Sequence, residues 1–147
     1  MNESILISAC LLGENCRFDG KNSLRQELLE MLEGKHLIPV CPEVEGGLST
    51  PRPPAEIREG RVYRGNGAEV TDQFSEGARI CLERGLVQDV RLAILKSRSP
   101  ACGCGQIYDG SFSKKLVPGD GIFTKILKTA GIDCISDEDY IDNIEHP

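Results

Sequence analysis

Near the start of the chain, Ile5-Leu6-Ile7-Ser8-Ala9-Cys10 contains a short apolar run that stops just before a cysteine. The run is rich in strand-forming residues, and its length is typical of a buried strand rather than of a helix. Leu37-Ile38-Pro39-Val40 is a second such run, and Cys41-Pro42 follows it directly. Leu92-Ala93-Ile94-Leu95 is a third, and the loop after it contains Cys102. The sequence therefore predicts three strands that each lead into a cysteine.

Segments with helical periodicity separate these strands. Leucines recur at helical spacing after Ser23, the predicted N-cap, and Gly34 ends that helix. Val70-Thr71-Asp72 is predicted to cap a longer helix, with Gly85 after it. The pattern continues with a helix over 121–130, a strand over 132–135 and an acidic helix capped by Ser136. Strands that alternate with helices in this way imply a parallel sheet.

In parallel α/β sheets, ligands bind beyond the carboxyl ends of the strands. We therefore predict a Rossmann-like, single-domain α/β fold over residues 1–147, with a mostly parallel sheet and long functional loops at the carboxyl ends of its strands. Two loops stand out in the sequence. The segment from Gly46 to Gly60 contains three prolines and is predicted to be irregular, and a glycine-rich loop holds Tyr108-Asp109-Gly110. Long ordered loops of this kind are usually functional.

Composition narrows the classes of function. The chain has 147 residues and a formal net charge of −6, so the molecule as a whole repels polyanions. Tight nucleic-acid binding is not expected, because it usually depends on many lysine or arginine contacts to phosphates. No apolar run approaches the roughly 20 residues that span a bilayer, and the N-terminus lacks the basic start of a secretion signal. We expect a cytoplasmic protein with a small-molecule partner and no membrane partner.

Seven cysteines are a high count for a chain of this size. The number is odd and the expected compartment is reducing, so a disulfide framework explains the cysteines poorly. Cys10, Cys41 and Cys102 each follow a predicted strand, and the fold would bring them to one rim. Thiolates select zinc, copper(I) or iron–sulfur centres. Neither His36 nor His146 is well placed as a fourth ligand, which favours an iron–sulfur cluster with one open iron.

The other four cysteines have different interpretations. Cys81 lies on the apolar face of a predicted helix and Cys134 within a predicted strand, so both are expected in the core. Cys16 and Cys104 lie in loops near the proposed site, where either is a spare thiol or a replacement ligand. Two other classes of function stay open. One is a zinc-bound structural or sulfur-carrier module, and the other is redox chemistry at Cys102 and Cys104, whose spacing allows only a strained ring.

Polar side chains accompany the predicted ligands. Glu43 and Glu45 follow Cys41 closely, and a carboxylate in a dry pocket can act as a general base, a role typically worth about 10²–10⁴-fold in rate. Glu43 is the preferred base because it is closer to the ligand, whereas Glu45 is equally well explained as a solvated acid. The Ser99 hydroxyl can position a water, and the cations Lys96 and Arg52 can attract an anion. Such groups also occur on ordinary surfaces.

Three blocks of sequence surround the predicted ligands. The first is Ser8-Ala9-Cys10-Leu11-Leu12-Gly13 with Arg17-Phe18-Asp19-Gly20; the second is Cys41-Pro42-Glu43 with Gly46-Gly47-Leu48 and Pro51-Arg52-Pro53; the third is Ser99-Pro100-Ala101-Cys102-Gly103 with Tyr108-Asp109-Gly110-Ser111-Phe112. Each block alone is weak. Together they cover nearly the whole chain and resemble the thiouracil desulfidase family.

This resemblance implies a 4Fe–4S cluster held by three cysteines, which correspond here to Cys10, Cys41 and Cys102. It also implies non-redox removal of sulfur from thiolated uracils (4-thiouracil, 2-thiouracil or 4-thiouridine monophosphate), which gives uracil or UMP and hydrogen sulfide. The catalytic acid and serine of the family correspond to Glu43 and Ser99. The residues that we expect to bind the substrate are Arg17, Asp19, Arg52 and Lys96.

Overall fold

The computed structural model describes residues 3–145 of the chain. Its strands are β1 (Ser4–Ser8), β2 (His36–Val40), β3 (Ala55–Arg58), β4 (Arg61–Arg64), β5 (Leu92–Leu95), β6 (Cys104–Tyr108), β7 (Leu116–Asp120) and β8 (Asp133–Ser136). Its α-helices are α1 (Gln26–Met31), α2 (Pro42–Glu45), α3 (Thr71–Val87), α4 (Ile122–Thr129) and α5 (Asp137–Glu145). None of these helices is long and apolar enough to cross a membrane.

Four strands form a parallel sheet in the order β2–β1–β5–β8. Ile7 in β1 lies opposite Pro39 in β2 on one side and opposite Ile94 in β5 on the other. The chain leaves β1 toward one side of the sheet and later returns to its other side, so the strand order reverses at β1. Ligands of α/β proteins bind at such a reversal. The predicted α/β class with a mostly parallel sheet is confirmed.

Helices cover both faces of this sheet. α3 and α4 cover one face, where Phe74 and Phe123 are buried with Leu6. α1 and α5 cover the other face, where Leu28 is buried with Ile7. Full burial of a large apolar side chain contributes roughly 1.5–3 kcal/mol. Because both faces are packed, the carboxyl ends of the strands are where the sheet can meet a ligand.

The short helix α2 lies directly against α3. A Cβ added at Gly77 of α3 would lie 1.7 Å from the carbonyl oxygen of Pro42. A Cβ at Gly46, which follows α2, would lie 1.9 Å from the carbonyl oxygen of Gln73. Only glycine permits backbones to approach this closely. The contact fixes the segment Cys41-Pro42-Glu43 relative to the sheet.

The start of α1 corrects one prediction. Ser23 is not the N-cap, because the helix begins at Gln26 after Arg25 and has no side-chain cap. The Ser23 hydroxyl instead accepts a hydrogen bond from Arg17 Nη1 at 3.1 Å. Ser23 therefore belongs to the hydrogen-bond network of the loop after β1 and does not cap the helix.

The end of α3 corrects another prediction, since the helix continues through Gly85 to Val87. Gly85 is needed for packing rather than for stopping the helix, because a Cβ there would lie 2.6 Å from Leu6 Cδ1. The predicted cap at Ser136 is confirmed: its hydroxyl accepts a hydrogen bond from the amide of Asp139 at 3.1 Å.

Two antiparallel hairpins extend the fold beyond the central sheet. The prediction that the segment from Gly46 to Gly60 is irregular is wrong at its end, because β3 lies in it and pairs with β4. β6 pairs with β7, and their connection carries the predicted loop at Asp109-Gly110. The sequence did not predict this second hairpin, because Gly105, Pro118 and Gly119 interrupt its strands.

Candidate active site

The loops that follow β1, β2 and β5 meet around one cavity of about 460 Å³. Cys10 lies in a 3-10 turn directly after β1, Cys41 directly follows β2, and Cys102 lies in the loop after β5. All three cysteines line this cavity. The sheet explains their meeting, because β2, β1 and β5 are adjacent and parallel, so that their carboxyl ends form one edge.

A fourth cysteine, Cys16, also lines the cavity. Cys41 Sγ lies 3.8 Å from the main-chain oxygen of Cys16. The hydrogen bond to Cys10, together with burial and against an opposing effect of Cys41, raises the pKa of Cys16 to about 11. The pKa of Cys41 is raised far above its ordinary value by the hydrogen bond with Cys16 and by burial. Without a metal, these groups are therefore thiols.

The loop around Cys102 is organised by Ser99. The amides of Ala101 and Cys102 donate to Ser99 Oγ at 3.1 and 3.0 Å. Burial raises the pKa of Cys102, and a hydrogen bond with Ser8 opposes this effect. Ser99 also lines the cavity, and within residues 3–145 its hydroxyl hydrogen has no acceptor. The hydroxyl can therefore donate to a ligand while it holds the Cys102 loop.

Glu43 is the acid that the second cysteine loop presents to the cavity. Its carboxylate accepts a hydrogen bond from Arg52 Nε at 2.9 Å. Burial raises the pKa of Glu43, and Arg52 opposes the rise. A carboxyl group tuned in this direction is better able to accept a proton near neutral pH. Glu45 does not line the cavity and pairs with Arg84 at 3.0 Å.

Arg52 joins three segments around the cavity. Its side chain is only 3% exposed. Besides Glu43, it donates to the main-chain oxygen of Cys16 at 2.7 Å, to the carbonyl of Ser49 at 3.1 Å and to Thr50 Oγ1 at 2.9 Å. A guanidinium has five N–H donors, so these four hydrogen bonds leave one N–H for a ligand. The structure places Arg52 chiefly as a support for Glu43 and the Cys16 loop.

The remaining residues expected to bind substrate occupy different positions. Arg17 lines the cavity and pairs with Asp19 at 2.9 Å. Asp19 is not part of the cavity wall, so it can only orient Arg17. Lys96 lines the cavity and donates to the carbonyl and hydroxyl of Ser97, both at 3.3 Å. No carboxylate in the described part of the chain forms an ion pair with Lys96.

The sequence did not predict the part of the cavity wall that the two hairpins form. Glu56 of β3, Tyr108 of β6 and Lys114 of the β6–β7 connection all line the cavity. The Glu56 carboxylate accepts hydrogen bonds from the amides of Gly110 and Phe112 at 3.0 and 3.1 Å, which ties the two hairpins together. The third sequence block contained Tyr108, but without the hairpin nothing indicated that Glu56 or Lys114 would reach the same cavity.

The arrangement of the donor side chains distinguishes between a single metal ion and an iron–sulfur cluster. Within residues 3–145, no three side chains of Cys, His, Asp or Glu come close enough to hold a single metal ion. His36 lies at the opposite end of β2, and His146 lies outside the described residues. Cysteine ligands of an iron–sulfur cluster bind different iron atoms, so they surround a cavity instead of converging on one point. Three thiols around a cavity fit a cluster better than one zinc ion.

A family model described as 2-thiouracil desulfurase matches residues 5–139, a range that includes all three cysteine blocks. The chain belongs to the 2-thiouracil desulfurase family. The resemblance noted in the sequence is thereby confirmed.

Two similar proteins support the assignment of this chain to the 2-thiouracil desulfurase family. The uncharacterized protein YbbK of Bacillus subtilis strain 168 is 36% identical over 148 residues, which cover 94% of this chain and 98% of YbbK. A solved structure described as the 4Fe–4S-dependent thiouracil desulfidase TudS is 41% identical, with a TM-score of 0.89, and the match covers 96% of this chain and 95% of that one. This chain therefore shares the fold of TudS over almost its whole length.

Proposed function

We propose that this member of the 2-thiouracil desulfurase family removes sulfur from thiolated uracils by hydrolysis, with a 4Fe–4S cluster bound by Cys10, Cys41 and Cys102. The observation that carries the proposal is that these three thiols line one cavity together with Glu43 and Ser99. The similarity to TudS, which is described as a 4Fe–4S-dependent thiouracil desulfidase, supports the same cofactor and reaction here. The substrates are 4-thiouracil, 2-thiouracil or 4-thiouridine monophosphate.

The reaction exchanges sulfur for oxygen without any transfer of electrons. A bound cluster would supply a Lewis-acidic iron that polarises the thiocarbonyl group. Glu43 accepts a proton from a water, whose oxygen attacks the carbon that carries the sulfur. Arg52 holds the Glu43 carboxylate in position, and the Ser99 hydroxyl donates to the water or to the substrate. The carbon–sulfur bond breaks, the water oxygen becomes the carbonyl oxygen, and the sulfur leaves with two protons as hydrogen sulfide.

Cations around the cavity favour a substrate with a phosphate group. Lys96, Lys114 and Arg17 line the cavity although the chain is acidic as a whole. Of these, only Arg17 forms an ion pair among the described residues. Unpaired ammonium groups beside an apolar wall attract an anion strongly. We therefore rank 4-thiouridine monophosphate above the free bases as substrate.

The remaining expectations from the sequence are retained as part of this proposal. The proposed site residues come from the central sheet, its loops and the hairpins that pack on it, which supports one domain over residues 1–147. A cytoplasmic location and the lack of tight nucleic-acid binding stay predictions from composition.

The proposal is tested on protein that is produced and purified without oxygen. Iron and acid-labile sulfide are measured first, and we expect equal amounts of the two, as a 4Fe–4S cluster requires. The protein is then incubated with 4-thiouracil and with 4-thiouridine monophosphate, and we expect loss of thiocarbonyl absorbance together with release of sulfide. Zinc without acid-labile sulfide would contradict the proposal and support the structural or sulfur-carrier alternative.

A further inference from the structure

The proposed function does not use Cys16, although its thiol is the fourth in the cavity. Cys16 lines the cavity together with Cys10 and Cys41, and Cys41 Sγ lies 3.8 Å from the main-chain oxygen of Cys16. Cys81, Cys104 and Cys134 do not line the cavity. A non-ligand thiol that shares the cavity with the proposed ligands can react with one of them whenever no cluster separates the sulfur atoms.

We propose that, when the site holds no cluster, Cys16 forms a disulfide with Cys41 that protects this ligand from irreversible oxidation. The inference rests on the proposed function only in treating Cys41 as a cluster ligand. Cys41 is favoured over Cys10 because its sulfur also lies 3.8 Å from the main-chain oxygen of Cys16. Arg52 holds that same oxygen at 2.7 Å, which keeps the Cys16 loop beside Cys41.

The two residues lie side by side, since Cys41 Sγ is 3.8 Å from the main-chain oxygen of Cys16. Forming the disulfide requires the two sulfur atoms to approach to about 2.05 Å. Cys16 and Cys41 also come from different segments, the first loop and the end of β2, so no short strained ring forms. Cys102 and Cys104, separated by one residue, lack this advantage.

The oxidant is a peroxide. The Cys41 sulfur attacks one peroxide oxygen and gives up its thiol proton, the O–O bond breaks, and Cys41 becomes a sulfenic acid as the proton and the departing hydroxide leave as water. The Cys16 sulfur then attacks the Cys41 sulfur, the S–S bond forms, the S–O bond breaks, and water leaves. In total the two thiols lose two electrons and two protons, and one hydrogen peroxide becomes two waters. Without Cys16, the sulfenic acid can proceed to the irreversible sulfinic acid.

The full-length chain, stripped of metal under reducing conditions, is treated with hydrogen peroxide, alkylated and digested without reductant. Trypsin and a glutamate-specific protease cut after Glu14 and Arg17, which separates Cys16 (peptide 15–17) from Cys10. Cys41 falls in peptide 36–43. We expect these two peptides to be linked, and the link to disappear with dithiothreitol. A link from 15–17 to the Cys10 peptide, or a sulfinic Cys41 without any link, would overturn the proposal.

A second measurement uses matched variants. Cys16→Ser removes the protecting sulfur, and Cys134→Ser removes a thiol outside the cavity. After peroxide, dithiothreitol and anaerobic reconstitution, we expect wild type and Cys134→Ser to regain their iron and Cys16→Ser to regain several-fold less. Equal recovery in Cys16→Ser and wild type would refute the protective role. Neither readout involves turnover, so a chain that failed to desulfurate thiouracil could still show the disulfide.

Discussion

The cysteines at the cavity and those elsewhere in the molecule have the same chemistry but different surroundings. Cys10 and Cys102 are 7% and 5% exposed, yet they line the cavity. Cys104 and Cys134 are only half-buried, and their thiols lie 3.5 Å from the main-chain oxygens of Cys134 and Ile132. Exposure therefore does not separate the two groups. What separates them is position, because Cys10, Cys41 and Cys102 follow parallel strands of the central sheet and line the cavity, whereas Cys104 and Cys134 do not.

The largest effect should come from the cavity cysteines. Cys10→Ala removes one of three proposed ligands, and a cluster held by only two cysteines is lost on purification, so iron and sulfide should fall to background. Cys134→Ser, outside the cavity, should keep both at wild-type levels. Anaerobic iron and sulfide analysis measures the difference, with circular dichroism to show that each variant is folded. Wild-type metal content in Cys10→Ala would contradict the assignment of Cys10 as a cluster ligand.

The grouping of the three cavity cysteines could be predicted from the local pattern of apolar residues. β1, β2 and β5 are short apolar runs, and a parallel sheet brings their carboxyl ends together whatever the distance along the chain. The cysteines after them could therefore be grouped before the fold was known. Cys16 could not be assigned in this way, because its contact with Cys10 and Cys41 depends on the path of a loop without periodicity.

The other side of the cavity was beyond sequence reasoning for a different reason. Glu56 and Lys114 reach the cavity on hairpins whose strands are short and interrupted by glycine and proline. Arg52 was expected near the substrate, but its burial and four hydrogen bonds to the chain emerge only from the folded loops. Long-range pairing of irregular segments leaves no periodic signal.

The two glutamates of the second loop repeat the contrast on a smaller scale. Glu43→Gln keeps the shape of the cavity wall but cannot accept a proton, so the cluster should be retained and the rate should fall about 10²–10⁴-fold. Glu45→Gln only breaks an exposed pair with Arg84 and should leave kcat nearly unchanged. Steady-state kinetics on cluster-loaded variants compares them. Unaltered kcat in Glu43→Gln would reject its role as the base.

The lysines give a still smaller contrast, in substrate binding. Lys114 lines the cavity, whereas Lys128 pairs with Asp120 outside it at 2.9 Å. A hydrogen bond to a charged group contributes about 1.5 kcal/mol at the low end of its range, so Lys114→Gln should raise KM for 4-thiouridine monophosphate roughly tenfold. KM for 4-thiouracil, which has no phosphate, should change little, and Lys128→Gln should affect neither. Equal changes for both substrates would show that Lys114 does not recognise the phosphate.

The last contrast concerns the stability of the folded chain and a thiol outside the cavity. Burial, assisted by Cys104 and opposed by Lys128, raises the pKa of Cys134 from 9.0 to about 12. A group whose pKa is raised on folding stabilises the folded chain fully below its unfolded pKa, and this contribution is lost as the pH rises through the folded pKa. In Cys134→Ser the hydroxyl does not titrate, so the advantage of wild type over the variant should shrink between about pH 9 and pH 12. Urea denaturation of the reduced, metal-free chains at both ends of this window measures the change. If the difference in free energy of unfolding between wild type and Cys134→Ser were the same at both pH values, the Cys134 thiol would be solvated equally in the folded and unfolded chains. That result would contradict the raised pKa.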